Sequence, residues 1–307
     1  MSYPRTNPTD RTAPMLTIGL PVYNGERYLP ESLDALLAQT YTDFELIISD
    51  NASDDGTADI CRSYAERDAR IRYVRQPVNI GAAPNHNILV PLANGRYFKW
   101  ASDDDLYDPE LIRLCVEALE ERPDYVLAHA WEAFIDGDGQ TQVPVDYTLE
   151  TADPDPAVRL RSMLFESGGD DFYGVIRTEV LRRVGEHGSY YNADRTFVAS
   201  ISLHGPFYQV PKTLYFRRDH PERATRAGTR RDRAAALDPR RADRVRNPMI
   251  LMYAEYIAGY LRAIRRAPLA QVDRFRCSLE VGRWLLSRLR PGRKSVLLED
   301  TLWSPSQ

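Results

Sequence analysis

Three consecutive aspartates, Asp103, Asp104 and Asp105, follow an aromatic run in the stretch YFKWASDDDLYDPELI. Adjacent carboxylates repel one another and raise each other's pKa unless a cation sits among them. A cap for the helix that follows Pro109 needs only Asp108, so the triplet has no local structural duty. A hard divalent ion, held by one or two carboxylates and by phosphate oxygens of a substrate, removes the conflict. The competing reading is a solvated turn whose charges face water. The first reading makes the triplet a metal and diphosphate site.

Three other polar clusters have the same character: PVYNGE (21–26), SDNASDDGT (49–57) and NIGAAPNHN (79–87). Each alone reads as a turn or a helix cap, because Asn, Ser, Asp and Gly are the usual residues there. Their positions give them more meaning. MLTIGLPVY, FELIISD, IRYVRQ and RYFKWAS are apolar, β-rich runs, and each ends where one of the four clusters begins. Between them, RYLPESLDALLAQ carries Leu29, Leu33, Leu36 and Leu37 at helical spacing, and TADICRSYAERD and AAPNHNILVPLA also read as helices. DPELIRLCVEALEERP follows with an Asp-Pro start. This alternation predicts an α/β fold with a Rossmann-like, doubly wound, mostly parallel sheet. In such a sheet ligands gather beyond the carboxyl ends of the strands, so the four clusters would line one cleft.

After Pro123 the pattern changes. DYVLAHAWEAFI reads as a strand ending in the turn DGDG, and a connecting segment rich in Asp and Pro follows. DDFYGVIRTEVLRRVG reads as a strand leading into a short helix, DRTFVASISLHG as a helix, and FYQVPKTLYFRRDH as a strand. Residues 221–246 are rich in Arg, Ala and Asp with no strand period, which leaves a loop, a flap or a marginal helix. Two helices, near Met249–Arg266 and Leu269–Leu289, form a C-terminal extension with apolar faces. Packing on the rest of the chain or forming a homodimer is expected of them, with membrane contact at most peripheral.

The bulk composition fits. The chain has 307 residues, and a formal net charge of −4 argues against nucleic acid as a partner. Cys61, Cys115 and Cys277 are far apart with no metal-ligand spacing, which suggests reduced thiols and a cytoplasmic protein. The polar, proline-rich residues 1–14 read as a flexible N-terminus without an apolar signal core.

The ordered motifs GLPVYNGERYLPESLDALLAQTYTDFELIISDNASDDGT, NIGAAPNHN and ANGRYFKWASDDD resemble the family-2 inverting glycosyltransferases of the GT-A fold, in the nucleotide-diphospho-sugar transferase superfamily. The resemblance is dense from Met15 to Asp108 and weaker to about His220. It implies a catalytic domain over 15–220, with 15–122 binding nucleotide and 123–220 facing the acceptor, then a basic flap (221–246) and the helices of 247–307. Pro21, Tyr23, Glu26, Asp50, Asn79, Gly81 and Asp103 would contact the nucleotide, and Asp104, Asp105 and His220 would hold Mn²⁺ or Mg²⁺. Such enzymes usually begin the metal motif with an aspartate; here that position is Ser102.

The resemblance also implies a base at the start of a late helix, commonly in a Glu-Asp pair. Asp194 in YYNADRTF takes that place, with Asp170 and Asp171 in reserve or contacting the acceptor. Arg217 and Arg218 would neutralise diphosphate. The donor would be a nucleotide-diphosphate sugar, UDP first, and the acceptor a hydroxyl on a glycan, a lipid-linked glycan or a small molecule. Alternatives are a nucleotidyltransferase, disfavoured because PVYNGERY offers only Gly25 and Arg27 as a phosphate loop, and a non-catalytic sugar-nucleotide binder.

Overall fold

The computed structural model describes residues 13–166, 170–190, 192–221, 229–243 and 245–288. Almost all of the expected flexible N-terminus, and residues 289–307 of the C-terminal extension, lie outside the described residues. The first half alternates as its sequence pattern predicts: β1 (Leu16–Val22), α1 (Leu29–Leu37), β2 (Phe44–Asp50), α2 (Thr57–Arg67), β3 (Ile71–Arg75), α3 (Ala82–Asn87), α4 (Leu89–Leu92) and β4 (Tyr97–Trp100). The single helix expected over 82–93 is split in two. Pro91 has no amide to offer the Asn87 carbonyl, and its ring crowds that carbonyl.

The second half contains β5 (Leu106–Tyr107), α5 (Leu111–Glu121), β6 (Leu127–Ile135), β7 (Thr141–Val145), α6 (Pro156–Phe165), β8 (Val175–Arg177), α7 (Thr178–Val184), α8 (Ala193–Ser202) and β9 (Phe207–Arg218). It ends with α9 (Arg230–Leu237), α10 (Met249–Arg266) and α11 (Gln271–Arg288). The segment expected to be a mere connection holds both β7 and α6. Asp155 caps α6 by accepting from the Ala157 amide, with Pro156 in the first turn. Part of the basic stretch is helical as well: Thr229 and Asp232 form a capping box that starts α9.

The sheet runs β3-β2-β1-β4-β8-β6-β9-β5, with β7 on β6. Pairing is parallel from β3 through β4, and β8 joins β4 to β6 antiparallel. The strand order reverses beside β1, which opens a crevice at the carboxyl ends of β1, β2 and β4. Both faces of the sheet are covered. Leu46 and Ile48 of β2 face a core with Leu33, Leu36 and Leu119, whereas Ile47 joins Phe98, Trp100 and the side chains of α8, α10 and α11. This strict period of two explains the continuous apolar runs, since a strand between two helix layers has no wet face. Gly19 permits the tight layer beside β1: a Cβ there would lie 2.6 Å from the Phe98 ring and 3.2 Å from Leu89.

Candidate functional site

The crevice starts with two loops stitched together. Beyond β1, the Asn24 amide donates to Ser53 Oγ (3.0 Å), the Gly25 amide to Thr57 Oγ1 (2.9 Å) and the Glu26 amide to Asp55 Oδ2 (3.1 Å). In return, the Asp54 amide donates to Asn24 Oδ1 and the Gly56 amide to the Glu26 carboxylate. Asn24 holds a left-handed backbone (φ 54°), which asparagine tolerates. Pro21 is buried, and Tyr23 and Glu26 are exposed at the rim.

Asp50, at the end of β2, is fully buried. Its Oδ1 accepts from the Ser53 amide (2.8 Å), and its Oδ2 accepts from Tyr73 Oη (2.7 Å) and Arg75 Nη1 (2.9 Å). Arg75 is partly exposed, so the pair presents a polar edge at this end of the crevice. Asn79 Oδ1 accepts from Asn51 Nδ2 and from the Gly81 amide, both at 2.9 Å, and the Ile80 amide donates to Asn51 Oδ1 (2.8 Å). Gly81 has φ 92°, and a Cβ there would lie 2.6 Å from the Leu237 carbonyl oxygen. The end of α9 thus rests directly on the third loop. Asp238 continues the contact by accepting from Ser189 Oγ (3.1 Å), in the segment that leads to Asp194.

The aspartate triplet divides into three environments. Asp103 lies against the first loop: a Cβ on Gly25 would come within 2.3 Å of its Oδ2. Desolvation and the neighbouring Asp104 push the Asp103 carboxyl well above the usual carboxylate range. Asp104 Oδ2 lies 3.1 Å from His220 Nε2, and Ser102 Oγ donates to Asp104 Oδ1. Asp105 is fully buried. Its Oδ2 accepts from Tyr215 Oη and its Oδ1 from the Arg218 amide (2.9 Å). Both oxygens of this carboxylate therefore serve the β5–β9 junction.

Arg218 is likewise used up. It is 1% exposed. Its Nε donates to the Asp104 carbonyl (2.8 Å), Nη1 to the Gly137 carbonyl (3.0 Å) and Nη2 to Glu31 Oε2 (2.6 Å). The expected diphosphate contact thus falls on a guanidinium enclosed by protein acceptors. Arg217 lies 3.5 Å from Glu132 and over the Phe134 ring, on the other side of β9.

Asp194 is exposed in the first turn of α8, a favourable place for an acid beside the helix N-terminal dipole. Asn192 sets the entry to that helix with φ 55°. Phe197, one turn further, packs on Trp100 at 5.6 Å between ring centroids. Trp100 precedes Asp103 by three residues, so one aromatic contact ties the start of α8 to the triplet. Asn87 secures the loop before α8 by exchanging two 2.8 Å hydrogen bonds with the backbone of His187. Nothing in sequence marks that pair. Asp170 opens a 3-10 turn (Asp170–Tyr173). Asp171 is 2% exposed, accepts from Tyr147 Oη (3.1 Å) and faces His129 Nδ1 at 3.6 Å, so it offers no open surface to an acceptor.

A family model described as Glycosyl transferase family 2 matches residues 17–184. Glycosyltransferase GlyG of Streptococcus pneumoniae serotype 4 is 28% identical over 125 residues, 41% of this chain and 42% of that protein. An uncharacterized glycosyltransferase of Bacillus subtilis, EpsJ, is 33% identical over 108 residues, 35% of this chain and 31% of that protein. The matches thus span less than half the length of these relatives. Among solved structures, S. aureus TarS 1-349 in complex with UDP-GlcNAc superposes with a TM-score of 0.55 at 15% identity, covering 88% of this chain and 89% of that one. Mannosyltransferase PcManGT from Pyrobaculum calidifontis, in complex with GDP-Man and Mn²⁺, gives 0.52 at 18% identity, covering 93% and 83%. At these identities what is shared is the GT-A fold.

Proposed function

The chain belongs to glycosyl transferase family 2, and from that membership we propose that it moves a sugar from a nucleotide-diphosphate donor to an acceptor hydroxyl with inversion, Asp194 acting as base. The observation that carries this reading is the meeting of Asp104 and His220, 116 residues apart, beside Asp103 at the mouth of the crevice. Asp104 and His220 would hold Mn²⁺ or Mg²⁺. The donor set fits: His220 is 8% exposed and its buried Nδ1 has no hydrogen-bond partner, so the ring that meets Asp104 keeps an unsatisfied polar atom. Among the described residues no group of three such side chains is preassembled, which suits an ion that takes its remaining ligands from phosphate and water. When bound, the ion supplies Lewis-acid stabilisation of the leaving diphosphate.

The protein's own groups do the rest. Asp50 with Arg75, Asn79 and the stitched loops at Tyr23 and Glu26 would seat the nucleoside, and Gly25 gives Asp103 room to approach. Asp105 and Arg218 would position the Asp104 loop. Residues 15–122 would hold the donor and 123–220 the acceptor, with α9 bracing the third loop and α10 and α11 backing α8. UDP is the first donor to try, supported by the UDP-GlcNAc carried by TarS, with GDP sugars second because PcManGT carries GDP-Man. The test measures nucleoside diphosphate release from UDP-, dTDP- and GDP-sugars, with Mn²⁺ and with chelator. Metal-dependent release that disappears in Asp104→Asn supports the reading; no release and no calorimetric nucleotide binding under any condition sinks it.

A further inference from the structure

The outward side of α10 and α11 has no part in the proposed transfer chemistry. Residues 249–288 hold seven arginines against three acidic residues, in a chain whose formal net charge is −4. The same forty residues carry seven of the thirteen large hydrophobic side chains that stand exposed among the described residues. On α11 these are Val272, Phe275, Leu279 and Leu286, whose spacings of three, four and seven form one stripe of a helix. On α10, Ile250, Leu251 and Leu261 are exposed as well. The inward stripe is separate: Cys277, Val281 and Trp284 of α11, with Met252, Tyr256 and Tyr260 of α10, are buried in the core. Each helix is thus apolar on two sides, and one side faces outward.

Charge decides what fits there. In the ion pairs on α11 the arginine is the more exposed partner: 47% for Arg276 against 27% for Asp155, and 64% for Arg283 against 10% for Glu280. Arg262 and Arg265 are exposed at the end of α10. Guanidinium groups therefore rim the apolar stripe. A second copy of this face would bring arginines against arginines, whereas a surface of lipid phosphates complements both the charge and the apolar stripe. No helix among the described residues is long and apolar enough to cross a membrane, so the contact would lie in the interface plane.

We propose that α10 and α11 dock the protein on an anionic lipid bilayer, with Phe275 and its apolar neighbours at the headgroup boundary and the arginines on lipid phosphates. On its inward side α10 touches the loop before Asp194, since a Cβ on Gly259 would lie 2.4 Å from Tyr190 Oη.

Co-sedimentation of the full chain with vesicles of phosphatidylcholine, alone or mixed with phosphatidylglycerol, tests this. Binding to the mixed vesicles should be about tenfold stronger and should fall with added salt. Phe275→Ser combined with Leu286→Ser should lose that binding with an unchanged melting temperature, and Arg262→Ser with Arg265→Ser should weaken it and flatten the salt dependence. Three results overturn the proposal: no binding to either vesicle, anionic binding unchanged in both variants, or a wild-type dimer that ignores vesicles and dissociates in the Phe275→Ser pair. The last would assign the face to a second copy of the chain.

Discussion

The loops beyond β1 and β2 are joined by amides and side chains 29 to 32 residues apart, such as Asn24 with Ser53 and Gly25 with Thr57. The aspartate triplet is held by partners 110 to 116 residues away: Tyr215 and the Arg218 amide on Asp105, and His220 on Asp104. Both regions are polar rims at strand ends, yet the first is nearly self-contained and the second exists only once β9 has docked in register beside β5 and β6. The difference separates residues that would meet the ligand from residues that aim them. In the nearer rim one short motif would do both jobs; in the triplet the jobs would fall on different aspartates.

The sharpest way to break this division starts at the base. Asp194→Asn should lower kcat by roughly a hundred- to ten-thousandfold while leaving nucleotide binding by calorimetry intact. Loss of nucleotide affinity instead would make Asp194 a binding residue. Next, Asp104→Asn and Asp105→Asn should part company. The first should lose metal-dependent turnover with little change in melting temperature. The second weakens two buried hydrogen bonds to a carboxylate and should cost about 2 to 4 kcal/mol of stability in denaturant unfolding. Equal effects on both readouts would erase the proposed split within the triplet. In the third loop, Gly81→Ala meets both a positive φ and the Leu237 carbonyl, so a loss of roughly 1 to 3 kcal/mol is expected by the same unfolding measurement.

The smallest effect is set by acid. Burial lowers the imidazoles of His86, His129 and His187 to about 4. Their folded-state pKa lies below the unfolded value, so between about pH 4 and 6.5 the unfolded chain binds more protons. Stability therefore rises with pH through that window and is lost on acidification. His86 and His187 flank Phe172 near the start of α8, at ring distances of 5.7 Å. Acid should thus loosen the region around α8 before the stitched loops, with protection of α8 amides falling first in hydrogen exchange across a pH series. Simultaneous loss in both regions would mean they are not separately stabilised.

The same contrast governs what the sequence disclosed. The run from β1 to β4 was legible because each strand, helix and polar end is contiguous, and β2 and α10 span the residues that the apolar pattern predicts. The family resemblance and the parallel sheet follow from that part of the chain. β5 has no sequence signal because a two-residue strand has no period of its own and forms only against Tyr215 and Phe216. β7 was hidden by Pro144, a residue tolerated there because this strand pairs only with β6. The start of α6 was marked by Asp155-Pro156, but in a stretch crowded with Asp and Pro the cap read as loop. At the site, the carboxylates and His220 stood out by type. Nothing local marks Asp105 and Arg218 as buried, since burial and partner choice are properties of distant strands. The Asn87 pairing with His187 gives no local signal at all.

Arg218 ties the Asp104 loop, the Asp136–Gly137 turn and α1 to β9 through one buried cation. Freeing any one segment leaves a charge in the interior short of a partner, which makes each of these contacts costly to lose. Mechanically this cation ties four separate pieces of chain to one point, so the spacing at the mouth of the crevice is set by a side chain that itself never reaches the surface.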